Sequence, residues 1–187
     1  MPVIVVGVGS SGTSMISGVI HNLGISMGQV FKEYPVTPGK WRRYEDAEMV
    51  FLSLFPIVKA PKVCIIQAIK FLASWRQEPW GFKNPHIATF IPWYAEALPN
   101  ARWVWAKRSK QGTISSLKRN WGLNQKTANV YYHKRTDCIS RDLPKDHYIA
   151  VYERFLKNPK TEVEELAKWL NVRPTKKAID VIKKPKK

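Results

Sequence analysis

The hydrophobic pattern of the chain opens with an uninterrupted apolar run. Residues 3–6 are all β-branched and a glycine follows them, which is typical of a strand buried on both faces of a parallel sheet. Apolar side chains then recur at helical spacing over 13–23, and Gly24 follows as a stop signal. The chain is therefore predicted to begin with a strand, a loop rich in glycine and serine, and a helix.

The same alternation of strand and helix continues to the end of the chain. The pattern predicts further strands over 80–83, 101–106 and 147–151. It predicts further helices over 46–55, 63–74, 87–98, 110–120, 125–139 and 161–170. Strands that alternate with helices pair in parallel and are covered on both faces. We therefore predict an α/β fold, a three-layer sandwich with a central parallel sheet of about four strands and helices on both faces.

Length and composition favour one domain followed by a basic tail. The chain has 187 residues, of which 44% are hydrophobic, and this is enough to bury one substantial core. Six lysines fall within the last twelve residues, so we assign 1–173 to the α/β domain and 174–187 to a solvated tail. Lysine and arginine together number 31 against 14 aspartate and glutamate residues. Such a surface attracts phosphate-rich or sulfate-rich partners, and nucleic acid stays an alternative partner.

Cysteine usage and hydropathy indicate a reduced, non-membrane environment. Cys64 and Cys138 are the two cysteines, and no metal-ligand spacing surrounds them, so neither a disulfide scaffold nor a zinc site is expected. No apolar stretch approaches the ~20 residues that span a bilayer, and the first strand follows the N-terminus without a basic leader. We expect a soluble cytoplasmic protein that does not bind membranes.

The segment from Gly7 to Ser14 has the form of an anion-binding loop. It reads Gly-Val-Gly-Ser-Ser-Gly-Thr-Ser between the first strand and the first helix, where backbone N–H groups and the helix dipole favour an anion. The Gly-Lys-Ser/Thr ending of nucleoside triphosphatases is absent, which makes a kinase or ATPase less favoured. A purely structural tight turn is the alternative for this loop taken alone.

Five separated segments, which together extend over nearly the whole chain, resemble the bacterial-type sulfotransferases in their order and spacing. They are Gly7 to Ser14 with Leu23-Gly24 and Gly28, Tyr44-Glu45-Asp46, Trp80 to Pro85, Arg108 with Ser116 eight residues later, and Tyr152-Glu153 before Phe155. The resemblance implies a P-loop-like fold. It also implies transfer of a sulfuryl group from 3′-phosphoadenosine 5′-phosphosulfate to a hydroxyl or amine acceptor, which is a small molecule or a glycan.

The resemblance implies two anion sites for this donor. Arg108 and Ser116 would hold the 3′-phosphate, and Tyr152 would contact the adenine. Because Arg108 directly follows the third predicted strand, it belongs at the carboxyl edge of the sheet, where open α/β folds bind ligands. The residues implied for the 5′-phosphosulfate are Gly9, Ser10, Ser11, Gly12, Thr13 and Ser14.

Three residues are candidates for the chemistry of transfer, for which no metal ion is expected. Glu45 is the preferred general base for an acceptor hydroxyl, although a charge at a helix N-terminus is its structural alternative. Lys83 is the last residue of the second predicted strand and would stabilise negative charge on the bridging oxygen. His86 is a second acid–base candidate, because imidazole titrates near neutral pH.

One position departs from the family pattern. The first segment of the family carries arginine or lysine where this chain has Ser10, so a positive charge is missing beside the reacting group. Lys83 or Lys107 would compensate, and Lys176 or Lys177 would supply a third phosphate contact. The alternative is a catalytically silent protein that binds nucleotide or nucleic acid on the same fold. The identity of the acceptor and the oligomeric state stay open.

Overall fold

A five-stranded parallel sheet forms the centre of the fold. The computed structural model describes residues 1–28, 49 and 60–182. The strands are β1 (Val3–Val6), β2 (Ser26–Met27), β3 (Trp80–Lys83), β4 (Arg102–Lys107) and β5 (His147–Val151). They lie in the order β2-β3-β1-β4-β5, and each neighbouring pair is parallel. The carboxyl ends of these strands therefore meet at one edge of the sheet.

Helices of the described residues cover both faces of this sheet. They are α1 (Thr13–Asn22), α2 (Lys62–Ser74), α3 (Ile91–Ala97), α4 (Lys110–Trp121), α5 (Gln125–Asp142), α6 (Tyr152–Lys157), α7 (Pro159–Leu170) and α8 (Lys176–Asp180). A short 3₁₀ helix, Pro85–Thr89, lies between β3 and α3.

The alternation of side chains along the strands divides the core in two. In β1, Ile4 and Val6 belong to a cluster with α2, α3 and the end of α5. Val3 and Val5 point to the other face and belong to a cluster with α1, α7 and α8. Successive strand residues face opposite sides of a sheet, so one buried strand feeds both clusters. This confirms the predicted three-layer α/β sandwich with a parallel sheet.

The structure refines two details of the prediction. The sheet has five strands where about four were predicted, because β2 is only two residues long and one of them is a serine, so it carries no hydrophobic signal. The helix predicted over 87–98 is divided into the 3₁₀ helix and α3. Pro92 explains the division, because proline has no N–H to donate and is tolerated in the first turn of a helix, where it lies in α3.

Part of the segment assigned to a basic tail is folded onto the domain. Thr175 caps α8 by accepting a hydrogen bond from the N–H of Ala178, and its hydroxyl donates to the carbonyl of Asn22 at the end of α1 (2.7 Å). Ala178 is fully buried in the α1 cluster. Residues 174–182 thus pack against α1, and the domain boundary at 173 stays a prediction.

The helix predicted over 46–55 lies outside the described residues except for Met49. Its carbonyl oxygen accepts a hydrogen bond from Oη of Tyr94 (2.9 Å). Cys64 and Cys138 are free cysteines. Among the described residues, no helix combines the length and the apolar character needed to cross a bilayer.

Candidate active site

The glycine-serine loop is tied to the carboxyl end of β4. The hydroxyl of Ser11 donates a buried hydrogen bond to the carbonyl of Ala106 (2.8 Å), and the N–H of Ser11 donates to the carbonyl of Val8 (3.0 Å). Ser10 and Gly12 both have positive φ, at 67° and 94°. This left-handed conformation is easy for glycine and uncommon for serine. The turn is therefore held in a fixed shape where β1 ends.

The start of α1 faces the same edge of the sheet. Gly12 is the N-terminal cap, and no side chain accepts a hydrogen bond there. The first N–H groups of a helix have no acceptor within the helix, and the helix dipole places partial positive charge on them. Thr13 and Ser14 lie in this first turn, where a helix start favours an anionic group, and the phosphosulfate site predicted there stays a prediction.

Lys83 lies beside this helix start. It ends β3, pairs in register with Val5 of β1, and is buried with 3% of its surface exposed. Its Nζ donates a hydrogen bond to Oγ of Ser14 (3.2 Å). A positive charge thus stands next to the positive end of α1, an arrangement that attracts an anionic group. The end of β3 and the start of α1, which are far apart in the sequence, meet here.

Arg108 reaches the loop from the end of β4. Its Nη1 donates to the carbonyl of Ser10 (3.4 Å), and its guanidinium carbon lies 4.5 Å from the centre of the Tyr152 ring. Its Nε is buried and has no hydrogen-bond partner among the described residues. A guanidinium that keeps an unused buried donor next to an anion loop is suited to bind a second anionic group.

Tyr152 stands against the loop. It is the first residue of α6, and its ring packs so closely on Gly12 that a Cβ there would overlap the ring. Glycine is therefore required at position 12 for two reasons: a side chain would collide with the ring, and the backbone conformation favours glycine. The ring contacts Gly12 and Arg108, and contact with an adenine stays a prediction.

Ser116 is not brought to Arg108 by any described contact. It is buried in α4, and its hydroxyl accepts a hydrogen bond from Nδ2 of Asn120 (3.0 Å). Its proposed role at the 3′-phosphate stays a prediction.

Glu153 supports the turn that carries Arg108, and the sequence analysis did not predict this. Its Oε1 accepts a hydrogen bond from the N–H of Ser109 (3.0 Å), and Ser109 caps α4 by accepting from the N–H of Gly112. Burial raises the pKa of Glu153, but the hydrogen bonds from Ser109 and the charge of Arg108 outweigh it and hold that pKa below its ordinary value. The sequence feature that pointed to Glu153 was its place in the Tyr152-Glu153 segment that resembles the sulfotransferases.

His86 is the second residue of the 3₁₀ helix that follows β3. Its N–H donates to Oδ1 of Asn84 (2.9 Å), and its carbonyl accepts from Nη1 of Arg135 on α5 (3.2 Å). Nη1 of Arg135 also donates to Oγ1 of Thr89 (3.1 Å). The backbone of the His86 segment is thus fixed to α5. Glu45, the preferred base, lies outside the described residues.

An aromatic pair that the sequence analysis missed borders the loop at Gly9. A Cβ on Gly9 would lie 2.6 Å from the Trp121 ring and 3.3 Å from Oη of Tyr131. The two rings meet edge to face with centroids 5.4 Å apart, and the guanidinium of Arg135 lies 5.5 Å from the Tyr131 ring. No local sequence signal identifies this contact, because it arises when α4 and α5 turn back over the loop.

A small cleft opens between the loop and α5. Oγ1 of Thr113 and Oγ1 of Thr136 are buried there without a partner among the described residues. Lys107 also lines it, with Nζ 5.0 Å from the centre of the Trp105 ring. The other lining residues are Val8, Ser11, Ala106, Arg108 and Tyr132. Within the described ranges, no three His, Cys, Asp or Glu side chains lie close enough to hold a metal ion.

Comparison with known proteins identifies the fold through structure. No protein-family model and no curated protein matches the sequence. A sulfotransferase from Mycobacterium avium superposes with a TM-score of 0.66 at 15% identity over 97% of this chain and 66% of that one. The sulfotransferase domain of the Synechococcus olefin synthase superposes with a TM-score of 0.64 at 14% identity over 98% of this chain and 78% of that domain.

A third structure was determined with a nucleotide. Retinol dehydratase in complex with androsterone and the inactive cofactor PAP superposes with a TM-score of 0.51 at 16% identity, over 97% of this chain and 62% of that one. The present chain thus spans somewhat less than two thirds of the Mycobacterium avium and dehydratase chains. At these identities the likeness concerns the fold, and the chain has the P-loop-like fold of the sulfotransferases.

Proposed function

We propose that this protein is a sulfotransferase that moves a sulfuryl group from 3′-phosphoadenosine 5′-phosphosulfate to a hydroxyl or amine acceptor. The observation that carries the proposal is the buried Lys83 ammonium beside the uncapped start of α1, on a fold shared with sulfotransferases. Sulfuryl transfer needs positive charge where the bridging oxygen becomes negative, and the Lys83 ammonium would supply it there.

The residues of the site fit the two anionic ends of this donor. The loop and the start of α1 would hold the 5′-phosphosulfate, and Arg108 would offer its unused buried Nε to the 3′-phosphate. In the reaction the bond from sulfur to the bridging oxygen breaks, the acceptor oxygen bonds to sulfur, and the acceptor proton passes to a base. Glu45 is proposed as this base, and His86 is the alternative.

Ser10 supports a second candidate function. Because the loop carries no basic side chain at this position, a nucleotide-binding protein without transferase activity fits the same residues. The excess of lysine and arginine extends this alternative to nucleic acid. Steep loss of affinity with salt would mark nucleic-acid binding, because each neutralised backbone phosphate releases counterions.

Nucleotide binding tests the proposal directly. Adenosine 3′,5′-bisphosphate should raise the melting temperature, whereas adenosine 5′-phosphate, ATP and an oligonucleotide should do so far less. Arg108→Ala should remove the preference for the 3′-phosphate, since a charge-assisted hydrogen bond contributes about 1.5 to 3 kcal/mol. Arg102→Ala is the matched control, because Arg102 begins β4 at the opposite edge and stacks on Trp169. Equal affinity of the wild type for both adenosine phosphates would contradict the assignment.

Turnover tests the step after binding. Glu45→Gln should leave binding of adenosine 3′,5′-bisphosphate nearly intact and lower transfer of labelled sulfate by roughly 100-fold or more, as for loss of a general base. Unchanged turnover in this variant, together with a loss in His86→Gln, would assign the base to His86.

A further inference from the structure

The corner between α4 and α5, residues 118–126, concentrates positive charge next to the anion loop. The whole span 110–136 contains six lysine and arginine residues and neither aspartate nor glutamate. Lys118 and Arg119 lie in the last turn of α4, and Lys126 lies in the first turn of α5, all three exposed. Lys118 donates a hydrogen bond to Oε1 of Gln125, which holds the two helix ends together (3.1 Å). Arg119 and Lys126 form no ion pair within the described part of the chain.

Trp121 lies at the centre of this corner and contacts the loop. Its ring stands over Gly9, while 40% of its surface is exposed to solvent. The tyrosine rings of α5, those of Tyr131 and Tyr132, are only partly exposed, whereas the imidazole of His133 is exposed. The loop is thus bordered by one accessible indole with exposed cations on both sides of it in the sequence.

A series of side-chain contacts connects this corner to the segment that carries the proposed reacting groups. Tyr131 packs on Trp121, Arg135 stacks on Tyr131, and Arg135 donates to the carbonyl of His86. These contacts connect Trp121, beside the loop, to the backbone of His86, three residues after Lys83 in the sequence. The acceptor must present its nucleophile to this segment if the proposed function holds.

We infer that the acceptor is an anionic oligosaccharide, a sugar chain that already carries sulfate or carboxylate groups. This inference rests on the proposed function and names the substrate class of the same site. A sugar ring offers its C–H face to one exposed indole and its free hydroxyls to the sulfuryl group, while Arg119 and Lys126 bind the anionic substituents. Single-stranded nucleic acid favours several successive stacking rings, whereas the exposed rings on the described residues of α4 and α5 are the Trp121 indole and the His133 imidazole, which are twelve residues apart.

The experiment compares three probes of equal length in one assay. A heparin-derived hexasaccharide, a neutral hexasaccharide and a single-stranded hexanucleotide are titrated into the full chain at two salt concentrations, with and without adenosine 3′,5′-bisphosphate. The sulfated sugar should bind at least tenfold more tightly than the neutral one. The variant R119A/K126A should lose roughly tenfold in affinity for it, while the control K157A/K160A, with the same loss of charge on exposed positions of α6 and α7, should lose little. Trp121→Ala should weaken both sugars.

The outcomes separate this inference from the proposed function. Binding of adenosine 3′,5′-bisphosphate together with equal, weak binding of both sugars would overturn the acceptor class and leave the sulfotransferase proposal standing. Tighter binding of the hexanucleotide, lost in R119A/K126A, would overturn it in favour of nucleic acid. Absence of nucleotide binding would refute the proposed function itself. Equal losses in R119A/K126A and K157A/K160A would show that only net charge matters and that the corner is not a site.

Discussion

Lys83 at the end of β3 donates a hydrogen bond to Ser14 in the first turn of α1, with 3.2 Å between Nζ and Oγ. The contact joins the strand beside β1 to the helix that follows β1, so it depends on the parallel order of the sheet. The buried ammonium adds its positive charge to that of the helix start, and together they favour an anion at the loop. The role of Lys83 is therefore testable as a binding contribution as well as a catalytic one.

Lys83→Met should weaken binding of adenosine 3′,5′-bisphosphate by roughly tenfold or more, since a hydrogen bond to a charged group contributes about 1.5 to 3 kcal/mol. Methionine retains most of the length and apolar volume of the side chain. Isothermal titration calorimetry measures the affinity. Lys70→Met, an equal loss of charge at an exposed position of α2, should leave it unchanged, and equal losses in both variants would contradict a specific contact.

Gly12→Ala and Gly24→Ala form a matched pair that separates backbone conformation from close contact. Both glycines have positive φ, at 94° and 98°, but a Cβ on Gly24 has open space whereas one on Gly12 meets the Tyr152 ring. Gly24→Ala should cost about 1 kcal/mol of unfolding free energy from conformation alone. Gly12→Ala should cost more than that and also abolish nucleotide binding. Denaturant unfolding measures both, and equal costs would show that the ring yields without penalty.

Some elements and contacts of this fold could be predicted from the sequence and others could not, and the difference has a physical reason. The unit from β1 to α1 is encoded locally, by a β-branched run, two flexible glycines and helical spacing, and its prediction was confirmed. By contrast, β2 is too short to carry periodicity and is held by its neighbour β3. The contact between Gly9 and Trp121 depends on how α4 and α5 pack. The local pattern cannot specify such tertiary contacts, and they shape the proposed acceptor side.

Ser10 tests how the loop works without a basic side chain. Its positive φ of 67° is unfavourable for serine, so Ser10→Gly should stabilise the fold by up to about 1 kcal/mol without weakening nucleotide binding. Ser10→Arg restores the residue of the family pattern, and it should raise turnover more than donor affinity, because charge builds up on the bridging oxygen only in the transition state. Thermal unfolding and transfer of labelled sulfate measure the two effects. A wild type more active than an inactive Ser10→Arg variant would show that this loop is organised differently from the family pattern.

Glu153 should give the stability a defined dependence on acid pH. Its pKa in the folded protein is lowered, because the hydrogen bonds from Ser109 and the charge of Arg108 outweigh the effect of burial. A lowered folded-state pKa means that the stabilisation is fully present above the unfolded pKa of glutamate, about 4.3, and is lost as pH falls through the folded pKa.

The difference in melting temperature between wild type and Glu153→Gln should therefore be largest near neutral pH and should shrink below about pH 4.3. Glu164→Gln, at an exposed position of α7, is the control for removal of a charge. Because Glu153 holds the turn that carries Arg108, Glu153→Gln should also weaken the preference for the 3′-phosphate at pH 7, which a purely global loss of stability would not do. A melting-temperature difference that stays constant from neutral to acid pH would mean that the negative charge of Glu153 does not stabilise the folded protein.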